Sequence, residues 1–297
     1  MRRDDENGKA GTIADGLNKN MMKSIDVNLN DYKLIIFDID GTLVGKDHVL
    51  DPFTKEVLFH LSEKGFRFTL ATGKNMPATK PLADELEIEL PLILINGGML
   101  QTRHGDMLSK TTLPLDVTRQ VIEICDAREK DLVIYIDNGI YVKAMNDNIF
   151  PVYNNVVSGL FEIGEWDAIT GKLVGANKCL VVDSFVRENL IEMGKVFEKA
   201  LKGRVDILHS STYLVEVMPK GVTKVTGIRM LAESMGIPMD AIMAFGDFNN
   251  DAEMLAAVGL GIAVENASPS AKAAADMVVG SVEEHGPAKF LKELLDR

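Results

Sequence analysis

Leu34-Ile35-Ile36-Phe37-Asp38-Ile39-Asp40-Gly41-Thr42 is the stretch on which the fold turns. Four apolar residues in succession read as a strand buried on both faces of a parallel sheet. Two carboxylates and a Gly-Thr turn follow at once. In open α/β sheets ligands bind beyond the carboxyl ends of the strands, so the run predicts a fold and the edge at which to look for a site.

Working outward, Pro52 to Lys64 has apolar residues at Val57, Leu58 and Leu61, a helical spacing that Gly65 closes. Phe66 to Ala71 reads as a strand, Met76 to Glu87 as a helix and Leu92 to Ile95 as a third buried strand. The alternation returns late. Helices are expected over Val222–Ser234, Ala252–Ala257, Ser268–Ala275 and Pro287–Leu295, and strands over Ala241–Phe245, Gly259–Val264 and Met277–Val279. Such alternation predicts an α/β fold with a doubly wound parallel sheet and right-handed crossovers.

The middle of the chain breaks the rhythm. Ile134 to Val142 carries Asn138-Gly139 between alternating β-formers, a hairpin signal. Amphipathic helices are expected at Leu115–Ala127 and Val186–Leu201, with strands near Lys178–Val182, Val205–Leu208 and Thr212–Val217. The reading is an antiparallel α+β insert over 113–218, set into a core formed by 31–112 and 219–297. Residues 1–30 are polar and aperiodic and read as a disordered arm, with Met21-Met22 as a possible native start.

At 297 residues, 46% apolar and 26% charged, the chain has the composition of a soluble globular protein. No apolar run approaches the ~20 residues needed to span a bilayer, and residues 1–7 carry no secretory h-region. Cys125 and Cys179 form no CxxC pair and read as small buried apolar residues in a reducing, cytoplasmic setting. The net charge of −12 argues against nucleic acid and anionic membrane as partners. A small anionic substrate then needs a local cation to receive it, whether the protein is a monomer or a small homo-oligomer.

Four polar segments follow the expected core strands: Asp38-Ile39-Asp40-Gly41-Thr42, Thr72-Gly73-Lys74, Asn96-Gly97-Gly98 and Gly246-Asp247-Phe248-Asn249-Asn250-Asp251. All converge on one sheet edge. Gathered carboxylates repel unless a cation is shared. A donor set of oxygens alone, with no histidine or cysteine cluster, favours Mg²⁺ over zinc. Asp38 and Asp40 alone fit an ordinary solvated turn, and the second acidic segment at the same edge argues against that. Asn96-Gly97 reads equally as a tight turn or a substrate contact. The five histidines, His48 among them, and the cap residues Trp166 and Tyr135 read as structural. Neither GxGxxG nor GxxxxGK[ST] follows the first strand, so dinucleotide and P-loop readings fail.

These segments resemble the four motifs of the haloacid dehalogenase superfamily of phosphohydrolases. Asp38-x-Asp40-x-Thr42 is similar to the first motif, Leu70-Ala71-Thr72-Gly73 to the second, Pro219 to Lys224 to the third and Gly246 to Asp251 to the fourth. Ala263-Val264-Glu265-Asn266-Ala267 and the position of the insert resemble the Cof-type branch, subclass IIB, with its C2B cap. The resemblance implies that Asp38 is a nucleophile and Asp40 a general acid and base. It implies Mg²⁺ held by Asp38, the Asp40 carbonyl and Asp247, with Asp251 in support. It gives phosphate binding to Thr72, the Gly73 amide and Asn250, and charge neutralisation to Lys224, leaving Lys220 structural. The implied activity is Mg²⁺-dependent hydrolysis of small phosphomonoesters, sugar phosphates above all. The implied partner is a small phosphorylated metabolite. A phosphomutase or phosphotransferase on the same scaffold and a non-catalytic phosphate sensor are the alternatives. Two departures stand out: Lys74 where the branch commonly has Arg, and Phe248 where small residues are frequent.

Overall fold

The structure, a computed structural model, describes residues 27–153, 159–211 and 214–297. Residues 1–26 of the expected arm, with Met21-Met22, and the first two residues of the expected strand Thr212–Val217 lie outside the described residues. The arm was expected to run through residue 30. Instead Val27 and Leu29 are buried in the core, and Asn28 caps a short 3₁₀ turn over Leu29–Asp31.

The chain then alternates through β1 (Leu34–Phe37), α1 (Pro52–Glu63), β2 (Phe68–Leu70), α2 (Met76–Glu85) and β3 (Leu92–Leu94). Two strands that sequence pattern did not reveal follow, β4 (Met99–Gln101) and β5 (Met107–Lys110). The inserted region runs α3 (Leu115–Asp126), β6 (Asp131–Ile136), β7 (Gly139–Val142), α4 (Phe150–Tyr153), β8 (Leu160–Glu162), β9 (Ala176–Val182), α5 (Arg187–Ala200), β10 (Val205–Ser211) and β11 (Leu214–Pro219). The closing stretch is α6 (Lys224–Met235), β12 (Ile242–Gly246), α7 (Ala252–Ala257), β13 (Leu260–Val264), α8 (Pro269–Ala274), β14 (Met277–Val279) and α9 (Gly286–Leu295).

The central sheet is parallel throughout, in the order β14-β13-β12-β1-β2. Side chains alternate across a strand, and β1 shows why all four of its residues are apolar. Leu34 and Ile36 pack with α6, α7 and α8 through Ile228, Leu231, Leu255 and Ala271. Ile35 and Phe37 pack on the other face with α1 and α9 through Leu58, Leu61 and Leu291. Helices on both faces make this the expected doubly wound α/β core.

The third strand departs from expectation. β3 pairs antiparallel with β4, and β4 with β5, in a sheet of its own. It joins the central sheet through one parallel bridge, Ala71 to Ile93. A short apolar run records burial and not direction of pairing.

The cap sheet has the order β10-β11-β9-β6-β7-β8. Its hairpin turns at Asp137-Asn138, where Asp137 takes φ 53°, so Gly139 is already paired with Ile136. Leu132, Ile134, Cys179, Val181, Val215 and Val217 face α3 and α5 in a closed apolar layer. The alternate residues therefore face the core. Register sets Tyr135 beside Lys178 and Ile140, and Glu216 beside Leu180. Both cysteines are buried and free, and burial raises the thiol pKa of each, Cys125 to about 12. Among the described residues no helix is long and apolar enough to cross a membrane.

Candidate active site

Parallel pairing of β1 with β12 brings the two acidic segments together. Phe37 lies opposite Phe245, and the Asp38 amide donates to the Phe245 carbonyl at 2.9 Å. Asp38 thus leaves β1 next to Gly246-Asp247. On the other flank β2 delivers Thr72 beside the same strand end, with the Ala71 amide on the Phe37 carbonyl at 2.8 Å.

Gly41 has φ 83°, in the region that favours glycine, and a Cβ there would stand 2.3 Å from Asp247 Oδ2. The turn after β1 and the Asp247 carboxylate can approach only because that side chain is missing. Thr42 Oγ1 donates to Asp247 Oδ1 across this contact at 3.4 Å.

Lys224 stands at the first turn of α6, where Thr226 Oγ1 accepts from the Thr223 amide at 3.1 Å. The helix is pressed onto the Asn96-Gly97 turn: a Cβ on Gly97, at φ 93°, would lie 2.0 Å from the Thr223 carbonyl oxygen. Gly97 therefore does not line the cavity, and its part is to seat α6. Asn96, at φ 51°, does line it and accepts from Asn250 Nδ2 at 3.1 Å.

The Lys224 ammonium is fully buried and bridges two carboxylates, with Nζ 2.5 Å from Asp38 Oδ1 and 2.6 Å from Asp251 Oδ1. The other Asp251 oxygen accepts the amides of Asp247 and Phe248, each at 3.0 Å. One buried carboxylate therefore orders the turn after β12 and holds the lysine.

Asp38, Asp247 and Asp251 each present an oxygen, and the three lie within 4.8 Å of one another. Burial, opposed by Lys224 and reinforced by Asp251 and Asp247, holds the Asp38 carboxyl well above the ordinary carboxylate range. Burial first, then the charge of Asp251, pushes Asp247 up to about 7. Lys224 is raised by Asp251 and Asp38 against its own burial. Three acids share one lysine. The cluster is short of positive charge, and its hard oxygen donors fit a divalent cation such as Mg²⁺.

Asp40 is not one of these three. Its Oδ1 takes Lys74 Nζ at 2.7 Å and His48 Nδ1 at 3.0 Å, and all three residues line the cavity. His48, read from sequence as structural, belongs to the site. So does Lys74, the departure from the second motif. Phe248, the other departure, lines the cavity wall.

That cavity, about 840 Å³, lies between core and cap. Asp38, Asp40, Thr72, Gly73, Asn96, Asp247 and Asn250 form its floor, and Lys224 and Asp251 sit beneath Asp38. Tyr135, Lys178 and Glu216 enter from the cap. Lys178 is nearly fully buried. Its Nζ donates to Glu216 Oε2 at 2.8 Å and to the Gly73 carbonyl at 3.0 Å, and lies 4.7 Å above the Tyr135 ring. Asn75, buried at the N-cap of α2, donates across the same junction to the Asn138 carbonyl at 3.1 Å. Two cap contacts thus land on the Thr72–Asn75 loop. Sequence reasoning missed Lys178, Glu216 and Asn75 and set Tyr135 aside. The available signal was a lone charge inside each of two apolar strands, Ala176–Val182 and Leu214–Met218.

A family model described as haloacid dehalogenase-like hydrolase matches residues 35–291. The HMP-PP phosphatase of Yersinia pseudotuberculosis is 29% identical over 267 residues, covering 89% of this chain and 96% of that protein. That of Serratia proteamaculans is 30% identical over 268 residues, with the same coverage. A haloacid dehalogenase-like hydrolase from Bacteroides thetaiotaomicron superposes with a TM-score of 0.80 at 26% identity, covering 89% of this chain and 99% of that one. A sugar phosphatase of subclass IIB does so with a TM-score of 0.75 at 25% identity, covering 88% and 98%. The chain belongs to the haloacid dehalogenase-like hydrolase family, as an enzyme whose relatives bear the names of phosphatases.

Proposed function

We propose that the chain is a Mg²⁺-dependent phosphatase that hydrolyses small phosphomonoesters through an aspartyl-phosphate on Asp38, in a reducing, cytoplasmic setting. The observation that carries this reading is the buried Lys224 ammonium on Asp38, within a cluster whose carboxylates outnumber their cation. Mg²⁺ held by Asp38, Asp247 and the Asp40 carbonyl, with Asp251 behind, would supply charge that draws in phosphoryl oxygens and offsets the carboxylates.

The chain's own residues account for the rest. The free oxygen of Asp38 attacks phosphorus while the ester bond breaks, and Asp40 gives its proton to the departing alkoxide. Asp40 then takes a proton from the water that attacks the same phosphorus, freeing inorganic phosphate and restoring Asp38. Thr72, the Gly73 amide, Asn250 and Lys224 hold the phosphoryl oxygens, which is most of what phosphoryl transfer asks of a protein. Lys74 covers Asp40 with a point charge. An arriving phosphate competes for that ammonium, and Asp40 then keeps only His48 Nδ1 on the oxygen that carries the proton. Lysine, compact and freely rotating, suits this exchange better than a planar guanidinium fork.

The division of labour places chemistry in the core (31–112 and 219–297) and leaving-group selection in the cap (113–218). Phosphate release from a simple ester, measured with Mg²⁺ and with EDTA, tests the reading. Release lost both in EDTA and in Asp38→Asn supports it, and release that survives Asp38→Asn overturns it.

A further inference from the structure

The cap side of the cavity differs in character from its floor. Among the described residues, Ile140, Pro151, Val152, Leu180, Phe185 and Leu214 make most of the wall there, with the Tyr135 and Tyr153 rings between them. Among the described residues, the polar side chains of that wall hydrogen-bond within the protein. Lys178 donates to Glu216 and to the Gly73 carbonyl. The Tyr135 hydroxyl donates to that of Tyr153 at 3.4 Å, and Ser184 Oγ donates to the Asn148 carbonyl at 2.6 Å. Phe185 is 71% exposed at the rim, a large apolar side chain with one edge in the cavity.

Resting on the phosphatase reading, we propose that the preferred substrate is a phosphomonoester with an apolar, ring-sized leaving group, in place of the polyhydroxylated sugar that the family resemblance suggests. The floor takes the phosphate, and about 840 Å³ leaves room for a ring above it. A sugar entering there exchanges water for a wall whose described polar side chains, the Tyr153 O–H apart, already hold partners within the protein. Each hydroxyl left without a partner lowers transition-state affinity, whereas burying a hydrocarbon ring raises it. One added hydroxyl in an apolar pocket costs up to about a hundredfold in kcat/KM, and a hexose brings several.

Benzyl phosphate and glucose 6-phosphate test this, since both are esters of primary alcohols and differ little in leaving-group chemistry. The expected result is a kcat/KM at least a hundredfold higher for benzyl phosphate. Phe185→Ser, at an exposed position that tolerates polarity, should narrow that ratio at least fivefold. Comparable values for the two esters, or a preference for the sugar, overturn the inference and leave the phosphatase reading standing. Release of phosphate from neither ester overturns both.

Discussion

Lys178→Met removes a buried ammonium and nearly nothing else in volume. The lysine is 3% exposed and Glu216 is 2% exposed, with 2.8 Å between their charges. Taking the ammonium from the pair leaves Glu216 a buried carboxylate without its cation, though still contacted by Asn96 Nδ2 at 3.5 Å, at about 3–5 kcal/mol. The Gly73 carbonyl also loses a charged donor at 3.0 Å, worth about 1.5–3 kcal/mol in its own right. The two losses overlap, so the expected destabilisation is about 4 kcal/mol in urea unfolding followed by circular dichroism. Lys178→Met/Glu216→Leu, which replaces both charges with hydrocarbon, should recover most of it. The recovery separates an uncompensated buried charge from damaged packing. Activity carries an independent signature. With the Gly73 carbonyl released, the Thr72–Asn75 loop is held less firmly, so KM rises about tenfold, the equivalent of ~1.4 kcal/mol, and stays high in the double variant. A single variant within 0.5 kcal/mol of the parent, or a double variant no more stable than the single, refutes this assignment.

The raised pKa values of Asp38 and Asp247 give the metal-free protein a definite pH response. A carboxyl that ionises at a higher pH folded than unfolded contributes stability fully present below the unfolded pKa and lost as pH rises through the folded one. For Asp247 that window runs from about 4 to about 7. The melting temperature without metal should fall across it, and Mg²⁺ should raise it more at pH 8 than at pH 5, since protons compete for the same oxygens. A Mg²⁺ effect independent of pH contradicts the cluster as the cation site. Gly97→Ala puts a Cβ against the Thr223 carbonyl and forces φ 93° on a side-chain-bearing residue. The cost is about 2 kcal/mol or more, with displacement of Lys224 and loss of most of kcat. An alanine variant of parental melting temperature and activity would show that α6 is seated by other contacts.

The core was legible because its signals are local. Leu34 to Phe37 is apolar at every position since both faces of β1 are covered, and the carboxylates follow where the strand must end. The hairpin was placed within one residue because β-formers flank Asn138-Gly139, while the turn itself falls on Asp137-Asn138, with the left-handed φ on Asp137. β3 does meet β2 in parallel, through the Ala71–Ile93 bridge, but its main pairing, antiparallel to β4, was missed because three apolar residues fix burial and say nothing of their other neighbour. The cap side of the cavity was illegible for a related reason. Tyr135, Lys178 and Glu216 meet only through the registers of β6, β9 and β11, which are set by long-range pairing. The charges of Lys178 and Glu216 inside apolar strands were visible, but which face they shared with Tyr135 was not. His48 and Lys74 sit in loops without periodicity, and only the folded chain brings them to Asp40.

Asp38 as acceptor of the phosphoryl group is the claim that most depends on chemistry. Asp40→Asn keeps the nucleophile and removes the base that would free it, so a phosphoryl-enzyme should accumulate. Rapid quench of this variant with Mg²⁺ and a phosphomonoester, followed by peptide mass spectrometry, reads that directly. The account predicts a gain of one phosphoryl group on the peptide bearing Asp38, absent from Asp38→Asn/Asp40→Asn. A phosphoryl group on any other residue, or parental turnover by Asp40→Asn, contradicts it.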